Sequence, residues 1–395
     1  MGLRSILDKI KPNFQPGGRF SYLHSTFEAF ETFLYTPDTV TRQGSHIRDA
    51  ADLKRTMIMV VIALMPALVF GWYNIGLQHA RMLGQTVDIW PAIWYGFLQM
   101  LPAIVVSYVV ALGIEFGVAQ ARGHEVNEGV LVTGILVPMI IPVDLPLWML
   151  ALAVAFSIVF GKEIFGGTGM NIFNPALLTR AFLFFGFPAY MSGDSVWVSG
   201  MRDAAQVADG FSGATPLSYA AAGLEEQLPS VMEMFVGTIP GSAGETSMLA
   251  ILLGALLLLA TGVASYRIML SVFAGGYLTG LLFNAIGINA YMGLPAHYHL
   301  LMGGFAFGAV FMATDPVSAS QTNAGKWVYG FLIGVFTIMV RVINPAYPEG
   351  MMLSILLMNA FAPLIDYVVV GRNIRARKRR TAALESARLA SEPTE

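Results

Sequence analysis

From Arg55 onward, long apolar stretches alternate with shorter polar connections. Ten stretches can be counted, centred on residues 56–76, 91–118, 128–143, 146–164, 174–190, 247–265, 267–287, 299–315, 326–343 and 351–370. An α-helix needs about 20 apolar residues to cross a hydrocarbon layer of about 30 Å. The pattern therefore predicts an all-α integral membrane protein with about ten transmembrane helices. The third to fifth and the eighth stretches are short or interrupted by Pro138, Pro142, Pro146, Pro175 and Pro316, which softens their ends. Polar segments divide the chain into an N-terminal arm (1–54), a first five-helix half (55–190), a long connection (191–246), a second five-helix half (247–370) and a basic tail (371–395). An odd number of spans per half forces the two halves into opposite orientations, the inverted-repeat arrangement from which transporters build a site at the bilayer midplane. Internal likeness is slight. One half has Gly166-Gly167-Thr168-Gly169 with Asn174-Pro175, and the other has Thr314-Asp315-Pro316 with Asn344-Pro345.

Charge placement sets the expected sidedness. Arg4, Lys9, Lys11, Arg19, Arg42, Arg48 and Lys54 precede the first span, and Arg372, Arg375, Arg377, Lys378, Arg379, Arg380 and Arg388 follow the last, so both ends are expected in the cytoplasm. Alternate connections then hold Arg122, Lys162, Arg180, Arg267 and Lys326 on that side, while the other side keeps little beyond Arg81, Arg202 and the border residue Arg341. The 191–246 connection, with seven acids and one base, falls outside. In the arm, Phe20, Tyr22, Phe27, Phe30, Phe33 and Tyr35 interleave with the basic residues. This fits a segment lying on the membrane surface, and a solvated leader fits equally. The opening Met1-Gly2-Leu3-Arg4-Ser5 leads into polar sequence rather than a signal-peptide core.

Composition agrees with a membrane protein. Of 395 residues, 55% are hydrophobic and 12% charged, against about 25% charged in soluble chains, and the mean hydropathy is +0.63. Cysteine is absent, which excludes disulfides, thiolate zinc and an iron–sulfur cluster held by this chain alone. Nothing in the pattern points to nucleic acid. The 22 methionines read as packing residues, and the six histidines lack a shared helical spacing suited to haem.

The chemistry concentrates in the long polar connection. Asp209-Gly210-Phe211-Ser212-Gly213-Ala214-Thr215 fits the pattern Asp-x-x-Ser/Thr-Gly-Ala-Thr, an acceptor site at which the last threonine forms a phosphoester with flavin mononucleotide (FMN). A hydroxyl is needed as acceptor, and Ser212, Gly213 and Ala214 are small enough to let a flavin transferase approach Thr215. Asp209 is suited to orient the hydroxyl or to hold the transferase's metal. The plain alternative is a surface turn, for which Asp, Gly and Ser are the usual residues.

Two further groups stand out. The glycine-rich run from Lys162 to Pro175, with Gly166, Gly167, Thr168, Gly169 and Asn174, lies between two spans. It suits either a second, non-covalent flavin with its quinone or a tight re-entrant turn. The acids in or beside the spans are Glu115, Glu128, Asp144, Glu163, Asp315 and Asp366. A carboxylate at that depth costs ~2.5–3.5 kcal/mol to insert, which marks each as a functional candidate. Asp366, Asp315 and Glu128 are the chosen points of a sodium path. Pairing of Asp366 with Arg372 or Arg375, and a simple helix stop at Asp315-Pro316, are the alternatives.

With its spans, Thr215, Gly123-His124-Glu125-Val126-Asn127-Glu128-Gly129 and the segment from Lys162 to Arg180, the chain resembles, over nearly its whole length, the family of B-type subunits of the sodium-translocating NADH:quinone oxidoreductases. The same superfamily includes the D-type subunits of the Rnf-type ferredoxin:NAD oxidoreductases. The resemblance implies a urea-transporter-like fold of two inverted halves in a bacterial inner membrane and a place in a six-subunit complex with A-, C-, D-, E- and F-type subunits. It also implies covalent FMN on Thr215 installed by a flavin transferase, a non-covalent riboflavin, and ubiquinone as acceptor, with the basic arm helping to form the quinone site. Electrons would pass from the FMN of the C-type subunit to Thr215's flavin, then to riboflavin and ubiquinone, while Na+ moves outward. A solute channel or transporter of similar fold is the alternative from a different class.

Overall fold

The computed structural model describes residues 3–15, 17–35, 41–45, 53–123, 129–202, 207–344 and 349–391. The arm holds α1 (Leu3–Ile10) and α2 (His24–Leu34), and Phe14, in the chain between them, stacks on Phe27 of α2 at 4.7 Å. Lys11 pairs with Glu31 at 2.8 Å. The first half follows as α3 (Leu53–Met82), α4 (Ile89–Arg122), α5 (Gly129–Ile140), α6 (Leu147–Gly161) and α7 (Pro175–Gly186). The connection is partly folded, with α8 (Pro188–Met191), α9 (Pro216–Ala221) and α10 (Val231–Val236). The second half holds α11 (Met248–Ala260), α12 (Tyr266–Ile286), α13 (Ala290–Gly293), α14 (Ala296–Leu301), α15 (Phe305–Phe307) with a π-helical turn over Gly308–Met312, α16 (Asn323–Ile343) and α17 (Met351–Ser391). The described residues contain no strand.

Among the described residues, six helices are long and apolar enough to cross a membrane: α3, α4, α6 with the turn after it, α12, α16 and α17. Shorter apolar helices α5, α7 and α11 account for three more of the predicted stretches, and the eighth stretch is the α14–α15 helix broken at Met302-Gly303-Gly304. The two halves repeat one packing scheme. As α4 packs on α5 and α6, and α6 on α7, so α12 packs on α14 and α16, and α16 on α17. They meet through α3 against α11 and α7 against α17.

Where helices stop short, buried irregular chain takes their place. Residues 239–247 run non-helically through the interior, and their polar groups are paired as a low-dielectric setting requires. The Asn74 amide donates to the Ile239 carbonyl at 2.8 Å, and the Gly244 N–H donates to the Met139 carbonyl at 2.8 Å. Two sequence expectations change here. The end of the 191–246 connection is interior chain rather than a surface loop. The basic tail is no separate segment, since α17 continues through it to Ser391 with residues 371–386 exposed or nearly so.

Candidate functional site

Thr215 is the N-cap of α9, a role its side chain fills by accepting from the Ser218 N–H at 3.3 Å, with Pro216 at the first helical position. Its hydroxyl lies 3.2 Å from that of Ser218. Before it, the Ser212 hydroxyl accepts from the Ala214 N–H at 3.2 Å. Ser212 and Asp209 are exposed, whereas Gly213 and Ala214 are buried. A side chain at Gly213 would strike the Asp194 carbonyl and the Met201 sulfur, so close packing explains this glycine at least as well as room for a transferase does. The connection is fastened from behind by Asp144, whose neighbours in sequence give no sign of this role. Asp144 accepts from the Ser199 hydroxyl at 3.1 Å and the Gly200 N–H at 2.5 Å, and His79 bonds the Ser199 carbonyl at 2.9 Å.

Thr215 lines a cleft of about 110 Å³ that opens to solvent. Phe184, Met191, Trp197, Leu217 and Ile239 supply apolar walls. Gly193, also in the lining, has nothing within 4 Å of where a side chain would begin, which leaves a flat stretch of wall. The floor is charged. Arg180 donates to Glu245 and to Glu349, each at 2.6 Å, with the side chains 5%, 8% and 16% exposed. Gly304 closes over this triad, because any side chain there would collide with the Glu245 and Glu349 carboxylates. Arg341, fully buried, donates to the carbonyls of Met302 and Glu349 at 2.9 and 2.8 Å and to that of His299, so it satisfies the open end of α14.

These contacts correct the assignment of Arg180 and Lys162 to cytoplasmic connections. Arg180 lies within α7, and Lys162 follows α6, buried against Glu115 of α4. Both are interior ion-pair members and carry no information on sidedness.

A second cleft, of about 90 Å³, opens at the other end of α7. Of the glycine-rich segment, Thr168, Asn171 and Asn174 line it, together with Lys162, Thr314 and Asp315. Gly166, Gly167 and Gly169 do not; they take φ of 117°, 95° and 94° and make the turn that presents Thr168. Among the described residues the buried Thr168 hydroxyl has no hydrogen-bond partner. Asn174 caps α7 through the Ala176 and Leu177 N–H groups, and its amide reaches Asp315 at 3.4 Å. Asp315 also accepts from the Ser318 hydroxyl at 2.7 Å, and it borders a groove with Ser320, Gln321 and Lys326. Glu128 lies outside the described residues.

Asp366 is bound to the α16 end of that groove. It accepts from the Ser320 hydroxyl, the Gln321 N–H and the Thr322 N–H and hydroxyl at 2.6–2.9 Å. No ion pair to Arg372 or Arg375 occurs among the described residues. Neither does any group of three or more His, Asp or Glu suited to a metal ion.

The sequence model of the NQR2, RnfD, RnfE family matches residues 40–375. The B subunit of a Na(+)-translocating NADH-quinone reductase from Chromohalobacter salexigens is 48% identical, with 98% of each chain covered. Proteins of the same name from Pseudomonas aeruginosa and Haemophilus influenzae are each 46% identical, covering 95% and 96% of this chain and 99% and 100% of their own. Likeness of this depth and extent means that the chain belongs to the NQR2, RnfD, RnfE family, alongside the B subunits of Na(+)-translocating NADH-quinone reductases.

Proposed function

We propose that this chain is the membrane subunit of a Na+-translocating NADH:ubiquinone oxidoreductase that carries FMN as a phosphoester on Thr215 and a non-covalent riboflavin. The observation that carries the reading is the back-to-back pair of clefts. Thr215 lines one, and Thr168, Asn171 and Asn174 line the other. The segment Asn174–Arg180 of α7 joins them over about 9 Å of helix rise.

In the Thr215 cleft the apolar walls suit a flat ring and Arg180 with its carboxylates suits the ring's polar edge. In the second cleft the polar lining of Thr168, Asn171 and Asn174 beside apolar Val132, Leu136 and Phe311 suits an uncharged flavin. Bound flavins would supply the one-electron carriage that side chains lack. The protein's own part is to hold the two rings at fixed separation, to exclude water from the triad, and to keep the short helices from collapsing. On this reading the electron donor is the flavin-bearing C-type subunit of the complex, and ubiquinone is the final acceptor.

Sidedness follows the basic residues that remain exposed, with the termini cytoplasmic and Thr215 on the periplasmic face of the inner membrane. For Na+, the candidates are Asp315, which lines the groove, and Asp366, bonded to the groove's Ser320 and Gln321; Glu128, outside the described residues, is the third candidate by sequence. Thr215→Ala decides the attachment. Ultraviolet fluorescence at the denatured subunit's position should vanish while insertion persists, and a band still glowing there would refute the assignment. Quinone-dependent turnover of the assembled complex separates this reading from an Rnf-type subunit.

A further inference from the structure

We infer that the Arg180–Glu245–Glu349 triad acts as a positioning element that sets the reduction potential of the ring lodged in the Thr215 cleft. This inference rests on the FMN attachment proposed above. Three facts carry it. The triad forms the floor of the same cleft whose rim holds Thr215. Its members come from three separate places, α7, the irregular chain before α11 and the turn before α17, so it fixes one geometry across both halves. It is also locked. Glu245 takes a further bond from the Ser242 hydroxyl at 2.5 Å, the Glu349 carbonyl is held by Arg341, and Gly304 leaves no room above the carboxylates.

The electrostatic consequence has a definite sign. One electron entering the ring comes from a reduced one-electron carrier upstream, which is oxidised by one electron, and no bond is made or broken. The cleft then gains a negative charge. A fixed cation beside it favours that change and a fixed anion opposes it, and with little water present the fixed charges are weakly screened. The triad holds one guanidinium and two carboxylates, and Arg341 stands behind it. Removing one carboxylate charge should therefore raise the potential, and removing the guanidinium charge should lower it. A purely structural triad would not produce shifts of opposite sign.

The test is a redox titration of the purified holocomplex, with the step that is absent in Thr215→Ala identifying the flavin concerned. Glu349→Gln, at the most exposed member, should favour the one-electron reduced ring by about tenfold, ~59 mV for a one-electron couple. Arg180→Gln should move the step the other way, and Arg180→Lys, which keeps the charge, should stay within about threefold of wild type. Since Arg180→Gln removes the cation shared by two buried carboxylates and is the variant most prone to misfold, Glu349→Gln and Arg180→Lys suffice for the decision. A Glu349→Gln step that stays in place, or moves down, overturns the inference. Each sample is also run on a denaturing gel under ultraviolet light. A fluorescent band with an unmoved potential refutes the triad's role alone, whereas a dark wild-type band removes the attachment and this inference with it.

Discussion

Replacing Asp366 by asparagine separates two roles that the structure allows for one carboxylate. Its Oδ1 accepts from the Ser320 hydroxyl, the Thr322 N–H and the Thr322 hydroxyl, and its Oδ2 accepts from the Gln321 N–H. An asparagine can put its carbonyl oxygen in the three-donor position, but its NH2 then faces the Gln321 N–H. One bond to a charged group is lost, worth about 1.5–3 kcal/mol, and partial exposure places the cost near the lower end. A second loss appears only if a sodium ion passes nearby. At about 5 Å and an effective dielectric near 40, a unit charge contributes about 1.7 kcal/mol, more than a tenfold change in affinity. Asp366→Asn should therefore show slightly faster thermal inactivation and, as a point on the ion path, at least a tenfold higher sodium concentration for half-maximal quinone reduction. Sodium curves that coincide with wild type, alongside the faster inactivation, would refute the ion-path role and leave Asp366 as a tether for the start of α16.

Two other predictions concern topology and buried charge. In this cysteine-free chain, Gln227→Cys should react with a membrane-impermeant thiol reagent in intact cells with a permeabilised outer membrane, whereas Ser386→Cys should not; the reverse labelling would invert the orientation. Lys162→Met should cost about 3–5 kcal/mol by removing the buried cation paired with Glu115, and Lys162→Met with Glu115→Leu should recover most of it; equal losses in the single and double variants, measured by resistance to thermal unfolding in detergent, would count against the pair.

The helical frame is legible in the sequence because hydrocarbon length and apolar runs are linked by simple geometry, so all ten stretches find a helix, whole or broken. The breaks are legible in part through Pro142, Pro146 and Pro175, whereas α5 runs through Pro138. The charged interior is not. Arg180 meets partners 65 and 169 residues away, and no local pattern announces such a pairing. Its one local signal is a lone cation inside Leu177–Phe185, which reads as a connection residue when charge is used only for sidedness. Asp366 is obscured for a related reason. Its nearest cations in sequence are the tail arginines, yet α17 carries them onward past the carboxylate, and the groups within reach belong to the start of α16. The acceptor motif marks Thr215 as a hydroxyl, but its capping of α9 and the packing reason for Gly213 emerge only from the fold.

The placement of buried charge has a physical logic that bears on the proposed electron transfer. Helices broken inside a membrane leave carbonyls and N–H groups that hydrocarbon cannot satisfy, and the chain meets this need with polar and charged side chains. Arg341 takes the carbonyls at the end of α14, and Asn174 takes the first N–H groups of α7. Arg180 and Arg341 then balance Glu245 and Glu349, and Lys162 balances Glu115, so these interior charges of both signs sum to no net monopole. Such groups are already desolvated and already oriented before any electron arrives. Little reorganisation is then needed when charge enters a cleft, which is the condition under which fixed dipoles and ion pairs act most strongly. Three short helices and one broken one would be a defect in a purely structural bundle; around the two clefts they hold polar groups in the interior, where the proposed redox carriers would need them.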